Sequence, residues 1–169
     1  MNSSMDESES RTVRMFPDHA DTVLWFPDPV PYDAAGLSPE LAADLAGWEE
    51  LFYEGLDRDY EWNSAELGRE FYAQGLLLAQ RVADELGNKF IIDLSAQDDD
   101  CPARSFQASG TAQNPQAAEA FEAFVVENNR FQADVAEARE RALRGEHPGW
   151  YAYAPLSQTV FDPQNPERK

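Results

Sequence analysis

Apolar positions along this chain alternate between strand-like runs and helical spacing, and the switches predict its elements. Thr22-Val23-Leu24-Trp25-Phe26 is a short apolar run that Pro27 and Pro29 end, the pattern of a buried or half-buried strand. From Ser38 the spacing turns helical. Ser38-Pro39-Glu40 combines a hydroxyl cap, a proline at the first helical position and an acid facing the positive end of the helix dipole. Leu41, Leu45, Trp48 and Phe52 then recur at spacings of four, three and four, giving one apolar stripe that Gly55 closes.

A second helix is expected to start near Asn63, with Glu66 three residues on as a capping box. Leu67, Phe71, Leu78, Val82 and Leu86 form its inner face, Gly75 permits close approach of a neighbour, and Gly87 stops it. Lys89-Phe90-Ile91-Ile92-Asp93-Leu94 has the strongest strand character in the chain. A polar loop follows from Asp98 to about Gln113, and Asn114-Pro115 opens the longest helix, about 115–144, with Gly145 as its stop. Ala117, Phe121, Phe124, Asn128, Phe131, Val135, Ala138 and Ala142 lie on it at alternating spacings of four and three, a heptad seam that packs internally or pairs with a second copy. Trp150-Tyr151-Ala152-Tyr153 adds an edge strand. The fold class is α+β: a small sheet packed by three helices, the last one long. Residues 1–14 read as a disordered acidic arm, 15–154 as one domain and 155–169 as a proline-rich tail.

Charge changes this picture of an ordinary small domain. The chain has a net charge of −19. Between Phe16 and Gly68 thirteen carboxylates face one basic side chain, Arg58, whereas residues 101–169 carry nine acids and seven bases. Organism-wide acidity explains a negative total but not this asymmetry. Such a block attracts basic partners and repels nucleic acid and anionic membranes. The acids on the outer face of the first helix and in the turn after it are the candidate contacts: Glu49, Glu50, Glu54, Asp57, Asp59 and Glu61.

Catalytic chemistry finds little support. Asp57-Arg58-Asp59-Tyr60-Glu61 resembles the opening of a calcium loop, yet Trp62 stands where the sharp turn needs glycine, and Gly68 where a bidentate acid is required. The run Asp98–Asp100 beside Cys101 reads as a solvated turn. The two histidines, His19 and His147, have no helical-spaced partner, and a single cysteine excludes an intramolecular disulfide. No phosphate loop, nucleophile elbow or dinucleotide fingerprint occurs, so no cofactor, metal or catalytic residue is expected. A carboxylate-based enzyme is the weakest reading, because thirty-two acids always place some pair at a workable distance. Trp25, Trp48 and Trp62 read as core rather than as a pocket lining. With no membrane-length apolar run and a polar, acidic start, MNSSMDESES, a cytoplasmic protein is expected.

Leu37-Ser38, Leu41, Leu45 and Trp48, then Trp62, Gly75, Leu78-Ala79 and Glu85-Leu86-Gly87 before a strand form a pattern over residues 37–94. It resembles a recurrent group of small, acidic, uncharacterised actinobacterial proteins. The resemblance implies a bacterial source and a small α+β fold, and carries no catalytic residues. In composition alone the chain is also similar to toxin-immunity proteins and to phage-type nucleic-acid mimics.

The expected function is therefore non-enzymatic: an acidic module of the immunity or inhibitor type that covers a basic protein, such as a nuclease whose site is basic in order to hold phosphates. The alternative is an accessory protein that dimerises through the seam, with Phe121, Phe124 and Phe131 exposed in the isolated chain.

Overall fold

The computed structural model describes residues 11–96 and 100–144, and the backbone of 152–154 and 159–161. The chain divides after Val126 into two compact units. In the first, β1 (Thr12–Met15), β2 (Leu24–Phe26), β3 (Asp28–Pro29), β4 (Ile91–Leu94) and β5 (Arg104–Phe106) make one sheet in the order β3-β2-β1-β4-β5. β1 is its centre. It runs antiparallel to β2, with Met15 opposite Leu24, and parallel to β4, with Val13 beside Ile92 and Met15 beside Leu94. Proline is tolerated in β3 because that strand is an edge.

Side chains alternate across this sheet. Val13, Met15, Leu24, Phe26, Ile92 and Leu94 are all buried, while Arg14, Trp25 and Asp93 occupy the opposite face. The buried face is covered by helices. After the single turn α1 (Tyr32–Ala35) come α2 (Pro39–Gly55), α3 (Ala65–Leu86) and α4 (Pro115–Leu143). The α+β class and the long final helix agree with the sequence pattern.

α2 starts where its cap requires: the Ser38 hydroxyl accepts from Leu41 N–H. Its Trp48 indole stacks on Phe71 of α3 at 4.3 Å between centroids and donates Nε1–H to the Phe71 carbonyl at 2.9 Å. Gly75 makes that contact possible, since a Cβ there would lie 2.8 Å from Trp48 Cζ2. The Glu85 carboxylate ties helix ends together. It accepts from the Ser38 N–H (2.9 Å) and hydroxyl and from Asn114 Nδ2 (2.8 Å). Asn114 also donates to the Gly36 carbonyl (3.0 Å), and its Oδ1 accepts from Ala117 N–H (3.3 Å), capping α4.

Several local expectations are corrected. α3 is capped by Ser64, whose hydroxyl accepts from Leu67 N–H, and not by Asn63, whose amide instead donates to the Gly55 carbonyl. Residues 12–14, assigned to the arm, form most of β1; residues 1–10 lie outside the described residues. β5 arises within the expected polar loop. The seam on α4 divides. Ala117 and Phe121 are fully buried, and Phe121 sits edge-on to Phe26 and Phe90, both at 5.8 Å, so Phe121 is unavailable to a dimer. Phe124 is half-buried against the same core, whereas Phe131 is 61% exposed.

In the second unit, Ala152–Ala154 (β6) pairs antiparallel with Thr159–Phe161 (β7). Of the expected strand at Trp150–Tyr153, Ala152 and Tyr153 lie in β6, while Trp150 and Tyr151 lie outside the described residues; the partner strand arises within the stretch read as a tail.

Candidate functional site

Two concave features of the first unit adjoin the acidic segment. One is a groove of about 540 Å³ between the β1–β2 loop and α2. Its loop side is fixed by short-range bonds: Asp18 Oδ1 accepts from His19 N–H (2.7 Å), and the Asp18 carbonyl accepts from Ala20 N–H (2.6 Å). Buried Thr22 anchors the loop's end, donating its hydroxyl to the Val30 carbonyl at 2.7 Å and accepting from Leu24 N–H at 3.2 Å. From the helix side, Tyr53 donates its hydroxyl to the Asp18 carbonyl at 2.8 Å and clamps loop to helix.

The groove is anionic. Asp18 and Asp21 from the loop meet Glu49 and Glu50 from α2 around it, with Tyr32 and Tyr53 in its wall. Crowding bears on Glu49 and on the two tyrosines of the wall. Partial burial, then Asp21 and Glu50, raise the Glu49 carboxyl above its ordinary value. Burial pushes the Tyr32 phenol up to about 12, and Glu49 contributes to that rise. Tyr53 is raised as well, by burial and by Glu49, Asp18 and Asp21. Asp21 and Glu50 disfavour the charged form of Glu49, so a cation entering the groove beside it relieves that repulsion.

The other four sequence candidates lie further along. Glu54 is exposed on α2, and Asp57, Asp59 and Glu61 are exposed in the turn between α2 and α3. Asp57 braces that turn from within. Its Oδ1 accepts from the N–H groups of Asp59 (2.8 Å) and Glu61 (3.1 Å), while its own N–H donates to the Glu61 carbonyl (2.8 Å). A bridge between Leu56 and Trp62 closes the turn, and Tyr60 takes φ +62° within it.

Under this turn opens a second cavity of about 750 Å³, at the C-terminal ends of the parallel strands β1 and β4. Phe16, Trp48, Phe52, Tyr60, Trp62 and Phe71 supply its aromatic walls. Their rings pack on one another, Phe52–Trp62 at 5.7 Å and Trp62–Phe71 at 5.1 Å. Trp48 and Trp62 therefore do both things the sequence left as alternatives, belonging to the core and lining a pocket. Trp25 does neither at this pocket; it stacks on Phe16 at 5.1 Å from the other face.

Sequence reasoning found Glu49 and Glu50 but missed Asp18, Asp21 and Tyr53 as their neighbours. The signal that existed was the acid count of the whole segment. Which acids converge depends on the loop folding back onto α2.

Fold and groove define a small α+β protein with a strongly anionic face beside an aromatic cavity. Residues 11–97 match the model of the Serratia CdiI immunity protein-like family. That match spans just over half of the chain, and the chain belongs to this family. No curated protein and no solved structure matches it. The groove and the cavity lie entirely within the matched residues, and α4 lies beyond them. Among the described residues no helix is long and apolar enough to cross a membrane.

Proposed function

We propose that this chain is a non-enzymatic immunity protein that neutralises a basic toxin domain by covering it with the anionic face of α2, the β1–β2 loop and the α2–α3 turn. The observation that carries the reading is the convergence of Asp18, Asp21, Glu49 and Glu50 on one groove inside the region shared with an immunity family. A toxin acting on nucleic acid must present lysine and arginine to phosphates, and these are the groups a crowded carboxylate groove accepts. The same field speeds encounter at low salt.

The test is co-expression of the chain with each toxin domain encoded in its own genome, reading growth, followed by calorimetry on any pair that survives. Replacing Glu49, Glu50, Glu54, Asp59 and Glu61 by their amides, with Asp57 kept because its carboxylate holds the turn, is expected to weaken binding by about 100-fold or more. Unchanged affinity would remove these acids from the interface. Absence of growth rescue by the unaltered chain with every such toxin would remove the immunity function itself.

A further inference from the structure

The acids explain attraction but not discrimination, because any basic surface satisfies them. The aromatic cavity supplies what they lack. Its walls are mostly ring faces, and two polar groups beside them are already engaged: Trp48 Nε1 donates to the Phe71 carbonyl, and Ser95 N–H donates to the Met15 carbonyl. A mainly apolar side chain fits such walls, and Glu61 in the lining offers a charged oxygen to a polar neighbour of it. Aromatic rings prefer offset or edge-on contact with further rings, which the tilted arrangement of Phe52, Trp62 and Phe71 offers.

The mouth has charge and rigidity. Glu61 lines the cavity and is exposed, and Asp59 stands two residues away in the same turn. Tyr60, between them, also lines the cavity yet is 73% exposed, which places it at the rim. It adopts a left-handed backbone conformation that is unfavourable for a non-glycine residue. The turn enforces this through four Asp57 hydrogen bonds, one of them donated by Tyr60 N–H to the Asp57 carbonyl at 3.2 Å, and through the Leu56–Trp62 bridge. An exposed ring held in strain at a pocket rim, in a stiff turn, is a prepared contact.

We propose that this cavity receives an aromatic side chain of the toxin, carried on a segment in which an arginine or lysine stands beside it; the ring packs against the touching Phe52–Trp62 pair beside Tyr60, and the cation meets Glu61 and Asp59. This rests on the immunity reading for the identity of the partner. An anionic neighbour is repelled by the same acids, so the pocket selects a basic-aromatic pair and not aromatic residues in general. Tyr60 is the specificity residue on this side, of the kind that dominates interfaces from a desolvated pocket.

The full chain, isotope-labelled, is titrated with acetyl-Arg-Trp-amide, acetyl-Glu-Trp-amide and acetyl-Arg-Ala-amide to millimolar concentrations while amide and indole resonances are followed. The Arg-Trp peptide is expected to move the Trp62 indole and Tyr60 signals and to bind about tenfold more tightly than Glu-Trp, with Arg-Ala leaving Trp62 unmoved. Tyr60→Gly, which relieves the backbone, is expected to lower that affinity about tenfold without lowering the melting temperature. Glu61→Gln should reduce the preference for Arg over Glu. An unmoved Trp62 indole, equal effects from Arg-Ala, or full affinity in Tyr60→Gly would overturn the proposal. Because the peptides need no toxin, such a failure leaves growth rescue intact, and a failed rescue leaves the peptide result standing.

Discussion

A methyl group added at Gly75 would lie 2.8 Å from Trp48 Cζ2, while one added at Gly47 would meet nothing within 4 Å. Both glycines are inside helices, so the pair separates packing from propensity. Gly75→Ala is expected to lower stability by about 1–3 kcal/mol through forced separation of α2 and α3. Gly47→Ala is expected to raise it by about 0.5–1 kcal/mol; urea unfolding of both variants checks the contrast. Two glutamates differ in the same manner toward pH. Burial, Asp21 and Glu50 raise Glu49, so the folded state keeps a proton that the unfolded chain releases, and this contribution to stability falls as pH climbs above the ordinary value of 4.5. Glu122 is lowered, first by its hydrogen bonds from Arg11 at 2.9 and 3.0 Å; burial opposes them, and the hydrogen bond from Lys89 adds to the lowering. Its contribution is present above 4.5 and is lost as pH falls through the depressed value. Thermal melts across the acid range should therefore show Glu49→Gln gaining stability only at neutral pH, and Glu122→Gln losing it there and not in strong acid.

Among the elements, the three long helices were legible and three of the sheet's five strands, β1, β3 and β5, were not. α2 and α3 carry their periodicity over 17 and 22 residues, with serine caps and stripes that survive one mistaken position such as Asn63 for Ser64. β1 offers four residues, one of them Arg14, and becomes the centre of the sheet only because β4 arrives alongside it from far down the chain. β5, with three residues and an exposed Arg104, is held by pairing to β4. Non-local partners leave no mark on so short a segment. The same limit applied to the site: Glu49 and Glu50 were readable on a helix face, but Asp18 and Asp21 join them through a loop fixed by Thr22 and Tyr53. The junction of helix ends at Glu85 was likewise invisible, since Ser38, Glu85 and Asn114 each look like ordinary surface or cap residues. Glu85→Ala is expected to cost about 1.5–3 kcal/mol in urea unfolding, because it strands the Ser38 N–H and hydroxyl and one Asn114 donor.

For the molecule as a whole, a charge of −19, of which −12 (thirteen acids against one arginine) falls in residues 16–68, opposes folding by self-repulsion. Raising sodium chloride from low to moderate concentration should therefore raise the melting temperature, while slowing association with a basic partner. A fall in melting temperature with salt would mean that the Arg11–Glu122 and Arg81–Asp44 contacts outweigh the repulsion. The parallel pairing of β1 with β4 also sets an order of events during synthesis. Met15 leaves the ribosome well before Leu94, its neighbour in the sheet. At about 5–20 residues per second, the central strand waits roughly 4–16 s for the partner that completes its hydrogen bonding. Both α2 and α3 are synthesised within that interval. The nascent chain thus carries both helices and the acidic turn between them while the sheet is still incomplete.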